Sequence, residues 1–196
     1  MTDAPATPLR LAVIVGSNRE GRFAPVVADW FTARAQEHGG WQVDVVDLAD
    51  TALPAGTVWP GVSDQESVAR FAGLVDAADA YVVVTPEYNH SFPAVLKHAI
   101  DLLRDEWRAK AVGFVSYGGM GGGLRAVEQL RLVFAELHAV TVRDSVSFHN
   151  AWERFDENGE PADAAGCAGA AKSMLDQLHW WARTLSEARR SRPYTV

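Results

Sequence analysis

Two arginines fall in one short stretch, Gly16-Ser17-Asn18-Arg19-Glu20-Gly21-Arg22, directly after a run of apolar and β-branched residues. A guanidinium forks onto phosphate oxygens, and the backbone N–H groups of a helix N-terminus add further donors. The stretch therefore reads as an anion-holding loop, with a dianionic phosphate as its natural guest. It is not a standard nucleotide motif. The spacing lacks G-x-G-x-x-G, and Arg22 and Phe23 stand where a P-loop needs lysine and a metal-binding hydroxyl. A second group, Thr85-Pro86-Glu87-Tyr88-Asn89, is odd as plain structure. A turn needs only the proline or the asparagine, whereas the tyrosine adds a flat face and a phenol. A third, Ser116-Tyr117-Gly118-Gly119, opens a glycine-rich run through Gly123 that lets backbone approach a planar ligand.

Such groups act together only if the fold brings them together. Apolar runs place strands at 9–15, 41–48, 79–85, 111–116 and 139–142, the last with a second piece at 145–148. Helical spacing of Val27, Trp30, Phe31 and Ala35 gives a first helix over 24–38, with Gly39-Gly40 as its stop. The capping box Ser63-Asp64-Gln65-Glu66 opens a second helix carrying Val68, Phe71, Ala72 and Val75. Further helices are expected at 93–103, after Gly123, and over 162–188. Strands alternating with helices make an α/β chain with a doubly wound, five-stranded parallel sheet and helices on both faces. The flavodoxin-like order 2-1-3-4-5 is preferred, and ligands of such sheets bind beyond the carboxyl ends of the strands, at the switch point. The three loops above all lie there.

Composition narrows the function classes. The 196 residues suit one domain, with 1–8 expected to be disordered. A net charge of −7 argues against a general nucleic-acid or anionic-membrane surface. No run is long enough for a membrane span and 1–8 lacks a signal-peptide core, so the cytoplasm is the expected location. The lone Cys167 fits a reducing compartment and reads as a packed thiol. No histidine pair has metal-ligand spacing, so no metal is expected, and His90 reads as a surface group. Asp47 closes the second strand, where dinucleotide enzymes keep a ribose-binding acid; without the glycine fingerprint it reads as structural. Trp59 and Trp152 are core or interface aromatics, and one of Trp180 and Trp181 should face outward.

Gly16-Ser17-x-Arg19, Thr85-Pro86-Glu87-Tyr88-Asn89-x-Ser91-x-Pro93-x-x-Leu96-Lys97-x-Ala99-Ile100-Asp101 and Ser116-x-Gly118-Gly119 resemble the NADPH-dependent FMN reductase family. The resemblance covers about residues 9–150. It implies FMN with its phosphate at Ser17, Arg19 and neighbouring amides of a loop that includes Asn18, Arg22 and Phe23. It further implies the flavin near Pro86, Glu87, Tyr88 and Asn89, and its ring edge against Ser116, Tyr117, Gly118 and Gly119. NADPH or NADH would be the donor, and a quinone, azo compound, free flavin or metal oxyanion the acceptor, in a ping-pong scheme with no protein residue as obligatory acid or base. A homodimer or homotetramer is expected, with the loop 49–62 and the helix 93–103 as contact elements. Many members have serine where Arg22 stands. The rival readings are a flavodoxin-type electron carrier without nicotinamide activity and a regulatory module that has lost its flavin.

Overall fold

A computed structural model describes residues 8–56 and 65–195. Strands β1 (Leu9–Val15), β2 (Trp41–Asp47), β3 (Ala80–Pro86), β4 (Ala111–Gly118), β5 (Val140–Thr141) and β6 (Val146–His149) form one sheet. Its order is β2-β1-β3-β4-β5, with β6 also paired to β4, and every pairing is parallel. Helices α1 (Ala24–His38) and α5 (Ala164–Ser191) cover one face, and α2 (Glu66–Ala77), α3 (Ala94–Asp101) and α4 (Leu124–Glu136) the other. Ser63 and Asp64 of the expected capping box, and Trp59, lie outside the described residues.

The strands alternate between two apolar layers. Leu11, Val13, Val82, Val84 and Val115 point to α1 and α5, meeting Val27, Phe31, Met174 and Leu178. Ile14, Tyr81, Val83, Val112 and Phe114 point the other way, meeting Phe71, Leu96, Ile100, Leu130 and Phe134. β3 is buried along its whole length, as a central parallel strand must be. Each fully buried aliphatic side chain contributes about 1.5–3 kcal/mol relative to exposure. Gly39 ends α1 with φ of 78°, its N–H bonded to the Gln36 carbonyl, a left-handed stop of the usual kind.

The expected fifth strand is two pieces. β5 pairs with Ala111 and Val112, and β6 pairs with Val115 to Gly118. Between them Arg131 of α4 donates to the carbonyls of Val142 and Arg143 at 2.6 and 2.9 Å, while the Val142 N–H still reaches the Val112 carbonyl at 2.9 Å. Pairing with β6 also carries β4 two residues beyond its expected end, to Gly118. The third helix is shorter than 93–103, ending at Asp101. A 3-10 turn, Asp105–Trp107, then seats the fully buried Trp107 against Phe71, Tyr81 and Phe134.

At the opposite end of the sheet from the glycine-rich loops, Lys110 is buried, its ammonium donating to the Val75 and Asp76 carbonyls at 3.0 and 2.7 Å. Burial lowers its pKa from 10.5 to about 8, with Asp76 pulling the other way. A folded pKa below the unfolded one means that the unfolded chain holds the extra proton between the two values. The Lys110 contribution to stability should therefore grow as pH rises from about 8 toward 10.5. Urea unfolding of the wild type and Lys110→Met at pH 7 and pH 10 checks this. The wild type should gain relative to the variant at the higher pH; a constant difference would contradict it.

Candidate functional site

The parallel register brings the carboxyl ends of four strands level. Val15 lies opposite Asp47 and Val84, and Pro86 opposite Tyr117. Gly16 continues the sheet, its N–H donating to the Val84 carbonyl at 2.8 Å. Ser17 is fully buried beneath the loop, and its hydroxyl shares a 2.9 Å hydrogen bond with the Tyr88 phenol. Asn18 and Arg19 are exposed. The Arg19 guanidinium lies 3.9 Å from the centre of the Tyr88 ring, within cation–π range, and forms no ion pair among the described residues.

Arg22 is used differently. Its two terminal nitrogens reach both carboxylate oxygens of Asp47 at 2.5 and 2.6 Å, and one also meets the Ser17 carbonyl. The hydrogen bond to Asp47 raises the Arg22 pKa and keeps the guanidinium charged. Asp47 also accepts from the Ala49 amide at 3.0 Å. The end of β2 and the start of the loop are thereby tied together. Phe23 then occupies the N-cap position of α1, packed against Tyr117 and Phe155 with ring centres 6.2 and 5.5 Å away. No side chain caps this helix, and Pro25 sits in its first turn. An uncapped N-terminus leaves donors and positive dipole available to an anion.

The second loop is a stiff hairpin. Tyr88 and Ser91 exchange backbone hydrogen bonds at 2.8 and 3.0 Å across Asn89 and His90, both with positive φ, 52° and 67°. Gln129 of α4 donates to the His90 carbonyl at 2.7 Å and accepts from the Ser91 hydroxyl at 2.5 Å. The Glu87 carboxylate is nearly buried and is held by the backbone amide and guanidinium of Arg125. The Glu87 amide donates to the Tyr117 carbonyl at 3.2 Å, joining the second loop to the third. Pro86 is buried, while the Asn89 side chain is exposed.

In the third loop Ser116 is buried, and its hydroxyl and that of Ser147 both donate to the Gly122 carbonyl, at 2.8 and 2.7 Å. Gly118 is buried and Gly119 half-buried. The Gly119 carbonyl accepts from the Asn150 amide at 2.9 Å, which brings the 3-10 turn Ala151–Glu153 alongside. A Cβ on Gly119 would meet the ring of Trp152 at 3.7 Å. That indole is 59% exposed, and nearby Met120 is exposed too. Tyr117 is buried, and its phenol oxygen has no hydrogen-bond partner among the described residues.

The expected residues thus converge, except that the side chains of Asn18 and Asn89 face outward. Arg125, Gln129, Ser147 and Trp152 complete the surroundings and were not singled out for it by sequence. Arg125 and Gln129 sit four apart on α4, one helical face, but nothing local says that this face meets the second loop. Among the described residues no group of three His, Cys, Asp or Glu is arranged to hold a metal ion. No helix among them is long and apolar enough to cross a membrane. A cleft of about 430 Å3 opens between α1 and α5, lined by Arg34, Glu37, His38, Lys172 and Asp176. Its charges pair with one another, Arg34 with Glu37 and both His38 and Lys172 with Asp176. The burial-raised pKa of half-buried Cys167 fits a packed thiol.

Comparison with known proteins bears on the same residues. A 121-residue stretch is 37% identical to an NAD(P)H-dependent FMN reductase of Schizosaccharomyces pombe, covering 58% of this chain and 60% of that protein. The chain therefore spans about three-fifths of that relative's length. An FMN-dependent NADPH-azoreductase of Staphylococcus haemolyticus is 26% identical, over 85% of this chain and 91% of its own. In fold, the chain superimposes on the flavoenzyme NAD(P)H:(acceptor) oxidoreductase of Paracoccus denitrificans with a TM-score of 0.72. That match has 24% identity and covers 90% of this chain and 98% of the other. A model of one family, described as NADPH-dependent FMN reductase, matches residues 9–153, which include all three loops. The chain belongs to the NADPH-dependent FMN reductase family.

Proposed function

We propose that this flavodoxin-like domain is an FMN-dependent NAD(P)H oxidoreductase that passes electrons in a ping-pong scheme to a small acceptor such as a quinone or azo compound. The observation that carries the reading is the guanidinium of Arg19, in no ion pair among the described residues and stacked on Tyr88 beside the uncapped N-terminus of α1. An anion there meets a cation, several amides and the positive end of a helix together. The glycines at 118 and 119 leave a side-chain-free approach for a planar ring. When bound, FMN supplies the hydride-accepting and electron-donating chemistry.

The chain's own residues bind and orient. Ser17 and Arg19 hold the phosphate with the first amides of α1, while Asn18 and Phe23 contribute backbone. Arg22 holds the loop in shape through Asp47 and the Ser17 carbonyl. Pro86, Glu87, Tyr88 and Asn89 form a wall for the flavin, stiffened by Arg125 and Gln129. Ser116, Gly118 and Gly119 meet the ring edge, and the exposed face of Trp152 beside Gly119 offers a planar acceptor something to lie against. Glu87 and Asp47 are both consumed by arginines, so neither serves as a free acid or base.

The nicotinamide nucleotide visits the same site, and the location is the cytoplasm. A homo-oligomer is part of the reading. α3 and the segment before residue 57 lie together, with His98 on the Pro54 carbonyl at 2.7 Å, and they would form one contact surface.

Purified protein loaded with FMN and mixed anaerobically with NADPH tests the function. Flavin absorbance that bleaches on mixing is expected. Bound flavin that stays oxidised with either NADPH or NADH would leave an electron carrier instead, and failure to bind FMN would remove the reading altogether.

A further inference from the structure

Tyr117 carries a polar atom that the chain leaves unsatisfied. It lies near the end of β4, opposite Pro86 on β3 and Phe148 on β6. Its ring packs with the α1 and α5 layer, against Phe23 at the N-cap of α1. Only 4% of the residue is exposed, and the hydroxyl has no partner among the described residues. A buried O–H without an acceptor is unfavourable and uncommon. The charged and phenolic groups that act on it are Tyr88 of the second loop, Arg22 and Arg19 of the first, and Asp47, which holds Arg22.

The oxygens of the first loop and its supports are engaged with other donors. Both Asp47 oxygens take Arg22, and one takes the Ala49 amide as well. The Ser17 carbonyl also takes Arg22, and the Ser17 hydroxyl is engaged with Tyr88. None of them meets the Tyr117 hydroxyl, and an oxygen brought in by a ligand held in the loop would supply the missing acceptor.

We propose that the Tyr117 hydroxyl is a donor to the phosphate of FMN, reaching the first loop from the sheet side, so that Tyr117 serves the phosphate end of the site and not the ring edge. The inference rests on the proposed function and adds to it a residue that distinguishes a phosphorylated flavin from an unphosphorylated one. Burial, the largest influence on this phenol, raises its pKa above the ordinary value. The proton is therefore present throughout the neutral range, as a donor requires.

The test is equilibrium titration of the flavin-free protein, wild type and Tyr117→Phe, with FMN and with riboflavin, following flavin fluorescence. The substitution keeps the ring against Phe23 and deletes only the hydroxyl. FMN affinity should fall by about tenfold to a hundredfold, the worth of one hydrogen bond to a charged group, and riboflavin affinity should not change. The flavin-free variant should be no less stable to urea than the wild type, because an unsatisfied group has been removed. FMN affinity unchanged in Tyr117→Phe, or an equal loss for both flavins, would overturn this assignment while leaving the proposed function in place. A wild-type protein that binds no FMN would overturn both.

Discussion

Gly123→Ala is expected to cost about 2–5 kcal/mol of folding stability, combining a left-handed backbone penalty with overpacking. Gly123 precedes α4 with φ of 84° and ψ of 4°. An added Cβ would lie 2.5 Å from the Ser116 Cβ and 2.9 Å from the Tyr117 amide nitrogen. Neither atom can retreat, because both belong to the buried end of β4, hydrogen-bonded on to β3 and β6. Any relief must come from the loop itself, displacing Gly122, whose carbonyl collects the Ser116 and Ser147 hydroxyls. Loss of stability and loss of flavin affinity should therefore appear together. Gly73→Ala in α2 is the control: its Cβ would meet nothing within 4 Å, and φ there is not positive. Chemical denaturation of the two variants measures the difference. A Gly123→Ala protein within about 0.5 kcal/mol of wild type, inside the scatter of ordinary surface changes, would mean that the loop is softer than its packing indicates.

Arg19→Ala should weaken FMN by about 1.5–3 kcal/mol, the range for a hydrogen bond to a charged group. That is roughly one to two decades in dissociation constant. Folding stability should change little, since the exposed side chain contributes only its contact with the Tyr88 ring, worth about 0.5–1 kcal/mol. Arg22→Ala makes the instructive contrast. Removing it leaves Asp47 without its two-pronged partner and the Ser17 carbonyl without its donor, so stability and affinity should decline together. Affinity measured by flavin fluorescence and stability measured by urea separate the two arginines. FMN affinity unaltered in Arg19→Ala would take Arg19 out of the site.

The contrast between these arginines also marks where sequence reasoning reached its limit. The strand order and the convergence of three loops were legible because each rests on local periodicity and on general rules of parallel sheets. Val82 to Val84 read as a central strand from composition alone and are fully buried. The split last strand was visible as two apolar pieces, though not the Arg131 contacts that lie between them. Arg19 and Arg22, by contrast, are the same residue type in the same loop. Only the register of β1 against β2 sets Asp47 beside one of them. The Glu87–Arg125 pair likewise spans 38 positions, and no spacing rule links residues so far apart. Tyr117 was expected at the ring edge from its neighbours in the motif. Strand alternation directs its ring to the α1 side, and the lack of a partner for its hydroxyl among the described residues becomes visible only in three dimensions.

The hairpin from Tyr88 to Ser91 keeps its shape through contacts supplied from both sides, Ser17 on one and Gln129 on the other. Its left-handed pair, Asn89 and His90, is fixed when the chain folds. A loose loop would surrender conformational entropy at the moment of capture; here that loss has been absorbed beforehand. Arrival of a ligand then depends on collision and fit, with no wait for a loop to order, and preference among similar ligands is expressed in how slowly each one leaves.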